Sequence, residues 1–198
     1  MVNVVVIGGG WAGCAAAITA RKAGAELTIL ERTDLLLGLG NVGGIMRNNG
    51  RYTASEEGIL LGANDLFDIC DQNSRHVDMD FPGHKHASLY DVAIIEAVVR
   101  RHIYELGIKV KFQARAIDVV MNGTSIKSVV LHDKETIPGD VFIETTGSTG
   151  SMGNCLKYGN GCAMCILRCP TFGPRVSISR KAGVEDIVAK RLDGNYGA

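Results

Sequence analysis

The sequence carries no net charge, because 21 lysines and arginines are balanced by 21 aspartates and glutamates. Nothing global therefore points to nucleic acid or an anionic membrane as partner. No apolar run approaches the roughly 20 residues that a membrane-spanning helix needs. The opening stretch, MVNVVVIGGG, lacks the basic region and small-residue cleavage site of a secretory leader and reads as a strand. The expected location is the cytoplasm. Internal repeats, low-complexity tails and obvious linkers are also missing. What remains is a chain of 198 residues, 46% hydrophobic, enough for one sizeable core.

Residues 2–7 form a short apolar run of the kind found in a fully buried parallel strand. A glycine turn follows, then an alanine-rich stretch, 12–23, that favours a helix and stops at Gly24. Residues 26–30 give a second apolar strand that ends at Glu31, which completes a βαβ opening. Residues 35–58 are rich in Gly and Asn and read as irregular; 56–71 suit a helix, and 75–86 a polar loop with a Pro-Gly turn. Between 89 and 106 a long amphipathic helix is predicted, with Val92, Ile95, Val99 and Ile103 on one face. Strands are predicted at 109–112, 114–121 and 125–132, the last two joined by an Asn122-Gly123 hairpin turn. A buried-type strand at 140–144 runs into TTGSTG, and a short helix is predicted at 184–192. This order argues for an α/β fold: a Rossmann-like parallel sheet with a β-meander.

Within VVVIGGGWAG, Gly8, Gly10 and Gly13 give the spacing G-x-G-x-x-G. The first glycine permits the tight turn, the second lets a pyrophosphate approach the backbone, and the third lets the helix pack on the strand. The helix N-terminus then presents N–H groups and partial positive charge to phosphate. Glu31, 18 residues after Gly13, is placed to accept hydrogen bonds from an adenosine ribose.

Two later features separate FAD from NAD. The sequence ERTDLLLGLGNVGG carries a second glycine-rich loop, and VFIETTGSTG places a Thr-Gly pair at the end of a late strand. Together with the first motif they resemble the two-dinucleotide-binding-domain flavoproteins, over residues 1–150. The resemblance implies an FAD-binding domain of the glutathione-reductase type and an FAD-dependent oxidoreductase. It puts Glu31 and Arg32 at the adenosine, and Gly38, Gly40, Asn41, Gly43 and Gly44 along the pyrophosphate or ribityl chain. Ala116 would offer backbone to the adenine, and Thr146 and Gly147 would close the site. Trp11 and Ala12, within the glycine turn, are also candidates for contact with the cofactor; for the Trp11 ring, packing in the core or as a lid and packing on a partner are the other readings. The aspartate usual in the late motif is Ser148 here, which removes a charged partner. In that respect the chain is similar to the tRNA-modifying flavoproteins of the glucose-inhibited division protein A type.

Four of the six cysteines fall in residues 151–198, spaced Cys155-x6-Cys162-x2-Cys165-x3-Cys169-Pro170. The part C-x2-C-x3-C-P matches the last three ligands of a bacterial ferredoxin run, with Cys155 as the fourth if the glycines before Cys162 let the chain loop back. An iron–sulfur cluster of the [4Fe–4S] type fits best, since a nearby flavin gives electrons a route. A zinc site fits less well, because only one C-x2-C knuckle is present. A redox dithiol at Cys162 and Cys165, and inert thiols, are the other readings. Cys14 and Cys70 read as small core residues.

His84 and His86 read as solvated loop histidines, with an acid–base role as the sharper alternative. Residues 151–198 hold seven basic residues against three acidic ones, which suits a ligand-balancing face, a partner subunit or RNA. Only 48 residues follow the late Thr-Gly motif, too few for a substrate domain and a segment over the flavin ring. The expectation is thus one part of a larger enzyme, completed by a second polypeptide or a missing C-terminal part. Electrons would pass from a small substrate, an amine or amino acid, through flavin to the cluster. RNA modification and a non-catalytic electron-transfer subunit are the alternatives. The sequence names no catalytic residue.

Overall fold

A computed structural model describes residues 1–42, 59–82, 84–147 and 172–185. Its centre is a four-stranded parallel sheet of β1 (Asn3–Ile7), β2 (Glu26–Leu30), β5 (Lys109–Lys111) and β9 (Val141–Glu144), in the order β5-β2-β1-β9. The helix α1 (Trp11–Lys22) crosses from β1 to β2. These boundaries agree with the sequence expectation to within one or two residues. The physical reason is that β1 lies between two neighbours and is covered on both faces, so Val4, Val5, Val6 and Ile7 are all buried.

The pleat sends alternate residues of β1 into two cores. Val4 and Val6 join Cys14, Ala17 and Ile18 of α1 and the apolar face of α4 (Ile95–Glu105). Val5 and Ile7 join Leu30, Ala116, Val129, Leu131 and Ile178 on the opposite side. That second core is roofed by a three-stranded antiparallel meander, β6 (Ala116–Asn122), β7 (Ser125–Leu131) and β8 (Thr136–Pro138). The predicted Asn-Gly hairpin is present, with Gly123 at φ 61°. Residues 109–111 pair with β2 in the parallel sheet and stand apart from this meander.

Several expectations are corrected. Residues 75–86 are largely strand: β3 (Ser74–Phe81) and β4 (His84–Tyr90) pair antiparallel around the Pro82 turn. Polar side chains on both faces and three register shifts hide the alternation that marks a strand. Helix α4 consequently starts only at Ile95. Ile95, Val99 and Ile103 are buried as predicted, but Val92 precedes the helix and is exposed. The helix expected over 56–71 is kinked: Gly62 has φ 94°, and α3 is Asn64–Gln72. Within the stretch read as irregular there is a short helix, α2 (Gly38–Val42). Val184 and Glu185 are non-helical, and a single turn, α5 (Ile178–Lys181), precedes them. The rest of the helix predicted there lies outside the described residues. So do Gly43, Gly44, Ser148, Cys155, Cys162, Cys165 and Cys169, and the side chains of His84 and His86. Among the described residues, no helix is long and apolar enough to cross a membrane.

Candidate functional site

The carboxyl ends of β1, β2 and β9 open onto one cleft. Its walls include Gly8, Gly10, Glu31, Arg32, Gly38, Ala116, Thr146, Gly147 and Arg175. The glycine turn at its base is shaped by close contacts. Gly8 has φ 109°, and a Cβ there would lie 2.4 Å from the Thr145 carbonyl oxygen. A Cβ on Gly13 would lie 1.8 Å from the Gly8 carbonyl oxygen. The Thr145 hydroxyl donates to that same oxygen at 2.7 Å. Gly10 differs: among the described residues a Cβ there would meet nothing within 4 Å, and the same holds for Gly147. Among the described residues nothing crowds these two glycines, which leaves room for a group that lies against the backbone.

Helix α1 begins directly behind Gly10. Its N-cap, Gly10, has no side chain to cap it, and no acid sits in its first turn. Its N-terminal amides and dipole are therefore left for an anion. Ala12 is exposed in this turn. Trp11 turns away from the cleft: its ring packs on Tyr90 at 5.5 Å and covers Gly40 so closely that a Cβ there would lie 1.9 Å from Nε1. The Tyr90 hydroxyl donates to the Gly40 carbonyl at 2.6 Å, and burial pushes it up to about 12.

Glu31 is 5% exposed. One of its oxygens accepts from the Gly9 amide and the other from the Thr33 amide, each at 2.8 Å. An ionised carboxylate has about four lone-pair sites, so two protein donors orient the group without exhausting it. Arg32 Nη1 donates to the Gly173 carbonyl at 2.5 Å. The loop before α2 is tied in twice. The Leu37 amide donates to the Gly9 carbonyl at 2.7 Å, with Leu37 at φ 67°. The Leu36 amide donates to the buried Glu96, which Arg100 also holds at 2.6 Å. A left-handed, fully buried leucine is a local cost borne beside the site. Asn41 Oδ1 is buried without a hydrogen-bond partner, the one such side-chain atom among the described residues. Such an acceptor calls for a donor that a ligand can supply.

Sequence reasoning missed Glu144, Arg115 and the role of Arg175. Glu144 closes β9, and its carboxylate accepts from the Thr146 hydroxyl at 2.8 Å and from the Ile178 and Ser179 amides at 3.1 and 2.6 Å. The Ser179 hydroxyl and Arg175 also reach it. Burial opposes its ionisation, but the Ser179 and Thr146 hydroxyls and the two amides outweigh burial and hold the carboxyl below its ordinary value. An acid at the end of an apolar strand was the available signal. Of the basic residues noted after position 150, Arg175 pairs with Glu144, Arg180 with Glu185 and Lys181 with Asp118. Among the described residues, no group of three or more His, Cys, Asp or Glu is gathered for a metal.

Cys14 lies under the turn, its Sγ donating to the Gly9 carbonyl at 3.4 Å. Burial pushes its thiol up to about 12. Iodoacetamide at pH 8 should therefore leave Cys14 unmodified in the folded protein and label it only in denaturant, as peptide mass spectrometry would read.

A parallel sheet that presents a glycine turn, an uncapped helix and a buried acid to one cleft defines a dinucleotide-binding domain. A family model described as FAD dependent oxidoreductase matches residues 3–152, and the chain belongs to that family. No curated protein matches the chain. Solved structures share the fold. CtdE in complex with FAD is 16% identical with a TM-score of 0.56, over 79% of this chain and 40% of that one. The Diels-Alderase PyrE3 of pyrroindomycin biosynthesis is 19% identical with a TM-score of 0.53, over 75% and 33%. FqzB is 16% identical with a TM-score of 0.53, over 80% and 39%. The match thus spans less than half the length of each of these structures.

Proposed function

We propose that this chain binds FAD as part of an FAD-dependent oxidoreductase, and that its partner or remaining part supplies the substrate site. The single observation that carries the reading is the pairing of open space at Gly10, before an uncapped helix, with the oriented carboxylate of Glu31 in the same cleft. The α1 amides would hold the diphosphate, Glu31 the adenosine ribose, and the backbone at Ala116 the adenine. Asn41 and Thr146 suit the ribityl side. When bound, the flavin supplies hydride acceptance and one-electron release. The chain's own part is to bind, orient and shield it. Purified protein should be yellow and release a flavin that phosphodiesterase converts to FMN; a colourless protein that takes up no FAD would refute the reading.

The finer reading is that Cys155, Cys162, Cys165 and Cys169 hold a [4Fe–4S] cluster in the cytoplasm, which accepts electrons that the flavin takes from an amine or amino acid. Its support is the spacing together with membership of a redox family. Anaerobically purified protein should contain about four iron and four acid-labile sulfide per chain. Zinc in their place, or thiols alone, would sink this part and leave the FAD reading standing.

A further inference from the structure

Residues 173–176 cross the cofactor cleft from one side to the other. At the β2 side, the Gly173 carbonyl accepts from Arg32, and the Pro174 carbonyl is 3.5 Å from Arg115 Nη1. Arg115 packs so close to Gly173 that a Cβ there would lie 2.6 Å from the guanidinium carbon. At the β9 side, Arg175 Nε donates to the Thr146 hydroxyl at 2.8 Å and Nη2 to Glu144 at 3.2 Å. The Arg175 side chain is only 10% exposed. Arg175 and Val176 line the same cleft as Gly8, Gly10 and Glu31. Beyond the crossing, Ile178 is buried in the second core and Glu144 holds the Ile178 and Ser179 amides. A crossing pinned at both ends places the planar guanidinium of Arg175 in the cleft that Gly10 also lines, at the end of β9.

Resting on the FAD reading above, we propose that residues 173–179 form a clasp on the cofactor: Arg175 binds the diphosphate, Glu144 positions Arg175, and the docking of clasp and dinucleotide favour each other. Linkage makes the coupling reciprocal. Adding dinucleotide should slow exchange in the clasp, and weakening the clasp should weaken the dinucleotide by the same factor.

The test uses the whole chain, with FAD, ADP and adenosine as probes. In the wild type, hydrogen–deuterium exchange of peptides covering 173–182 should slow on saturation with FAD and with ADP. Arg175→Gln should raise the Kd for FAD and ADP about 10-fold, leave adenosine unchanged, and be partly rescued by Arg175→Lys. Glu144→Gln should weaken ADP as well, and the double variant should bind no worse than Arg175→Gln alone, because one group acts through the other. Equal losses for ADP and adenosine, unchanged exchange on saturation, or tighter FAD binding by Arg175→Gln would each overturn the clasp while the FAD reading stands. A wild-type chain that binds neither FAD nor ADP overturns both.

Discussion

Gly10→Ala should weaken FAD binding about 100-fold in a protein that keeps most of its stability, whereas Gly13→Ala should destabilise the fold itself. The two glycines sit three residues apart in one motif, yet they serve different ends. A methyl on Gly13 would be driven to 1.8 Å from the Gly8 carbonyl oxygen, which is backbone and cannot swing away. Either α1 lifts off β1 or the turn opens. Overpacking of this kind costs about 3 kcal/mol or more, which in a domain of this size lowers the melting temperature by roughly 10 °C. A methyl on Gly10 meets no atom of the described residues within 4 Å, and Gly10 has an ordinary φ of −68°. Its cost to folding is that of a poorer helix cap, about 1 kcal/mol. The space it would fill is where a diphosphate must approach the α1 amides. FAD affinity should fall by about 100-fold, or ~2.7 kcal/mol. Thermal melts and flavin titration of the two variants check both halves. Gly10→Ala protein with unimpaired FAD affinity would place the diphosphate elsewhere.

The legible parts of this chain are those whose cause is local. An apolar run, a glycine turn and an alanine-rich stretch specify β1, α1 and β2, because a buried parallel strand needs no alternation and a helix behind glycines needs little else. The Asn122-Gly123 turn fixed the β6–β7 hairpin for the same reason. The hairpin of β3 and β4 was not legible. Its exposed Val77 and Met79 and its charged neighbours give no period of two that separates a buried face from a wet one. In the cleft, the positions of Gly8, Gly10 and Glu31 follow from the spacing of the βαβ unit, whereas Ala116 is reached only through the likeness to the flavoproteins. The Glu144–Arg175 contact could not, since it joins residues 31 apart in sequence whose pairing depends on where the chain re-enters the cleft. Likewise Glu96, 60 residues from Leu36, reads in sequence as one more surface acid on an amphipathic helix. For Trp11 the sequence leaves cofactor contact and core packing both open, and its ring packs on Tyr90 and over Gly40.

Removing the Glu31 side chain should cost both stability and cofactor, in a proportion that its geometry sets. Glu31→Ala leaves the Gly9 and Thr33 amides buried with no acceptor, where each now finds one at 2.8 Å. An orphaned buried donor costs about 1–3 kcal/mol, so the two together lower stability by roughly 2–6 kcal/mol. Glu31→Gln keeps the volume and one carbonyl oxygen. Its amide nitrogen, however, must face one of the two backbone N–H groups, so a single donor is lost and the cost is about half as large. Both variants also remove the paired acceptors that would hold the ribose hydroxyls. Adenosine should therefore bind more weakly to Glu31→Gln, in contrast with Arg175→Gln, whose deficit should be confined to ligands that carry phosphate. Chemical denaturation gives the stability order wild type, Gln, Ala, and titration with adenosine and ADP separates the two ends of the cleft. If Glu31→Ala proved as stable as the wild type, the two amides would have to be satisfied by something other than this carboxylate, and the placing of the ribose on it would lose its basis.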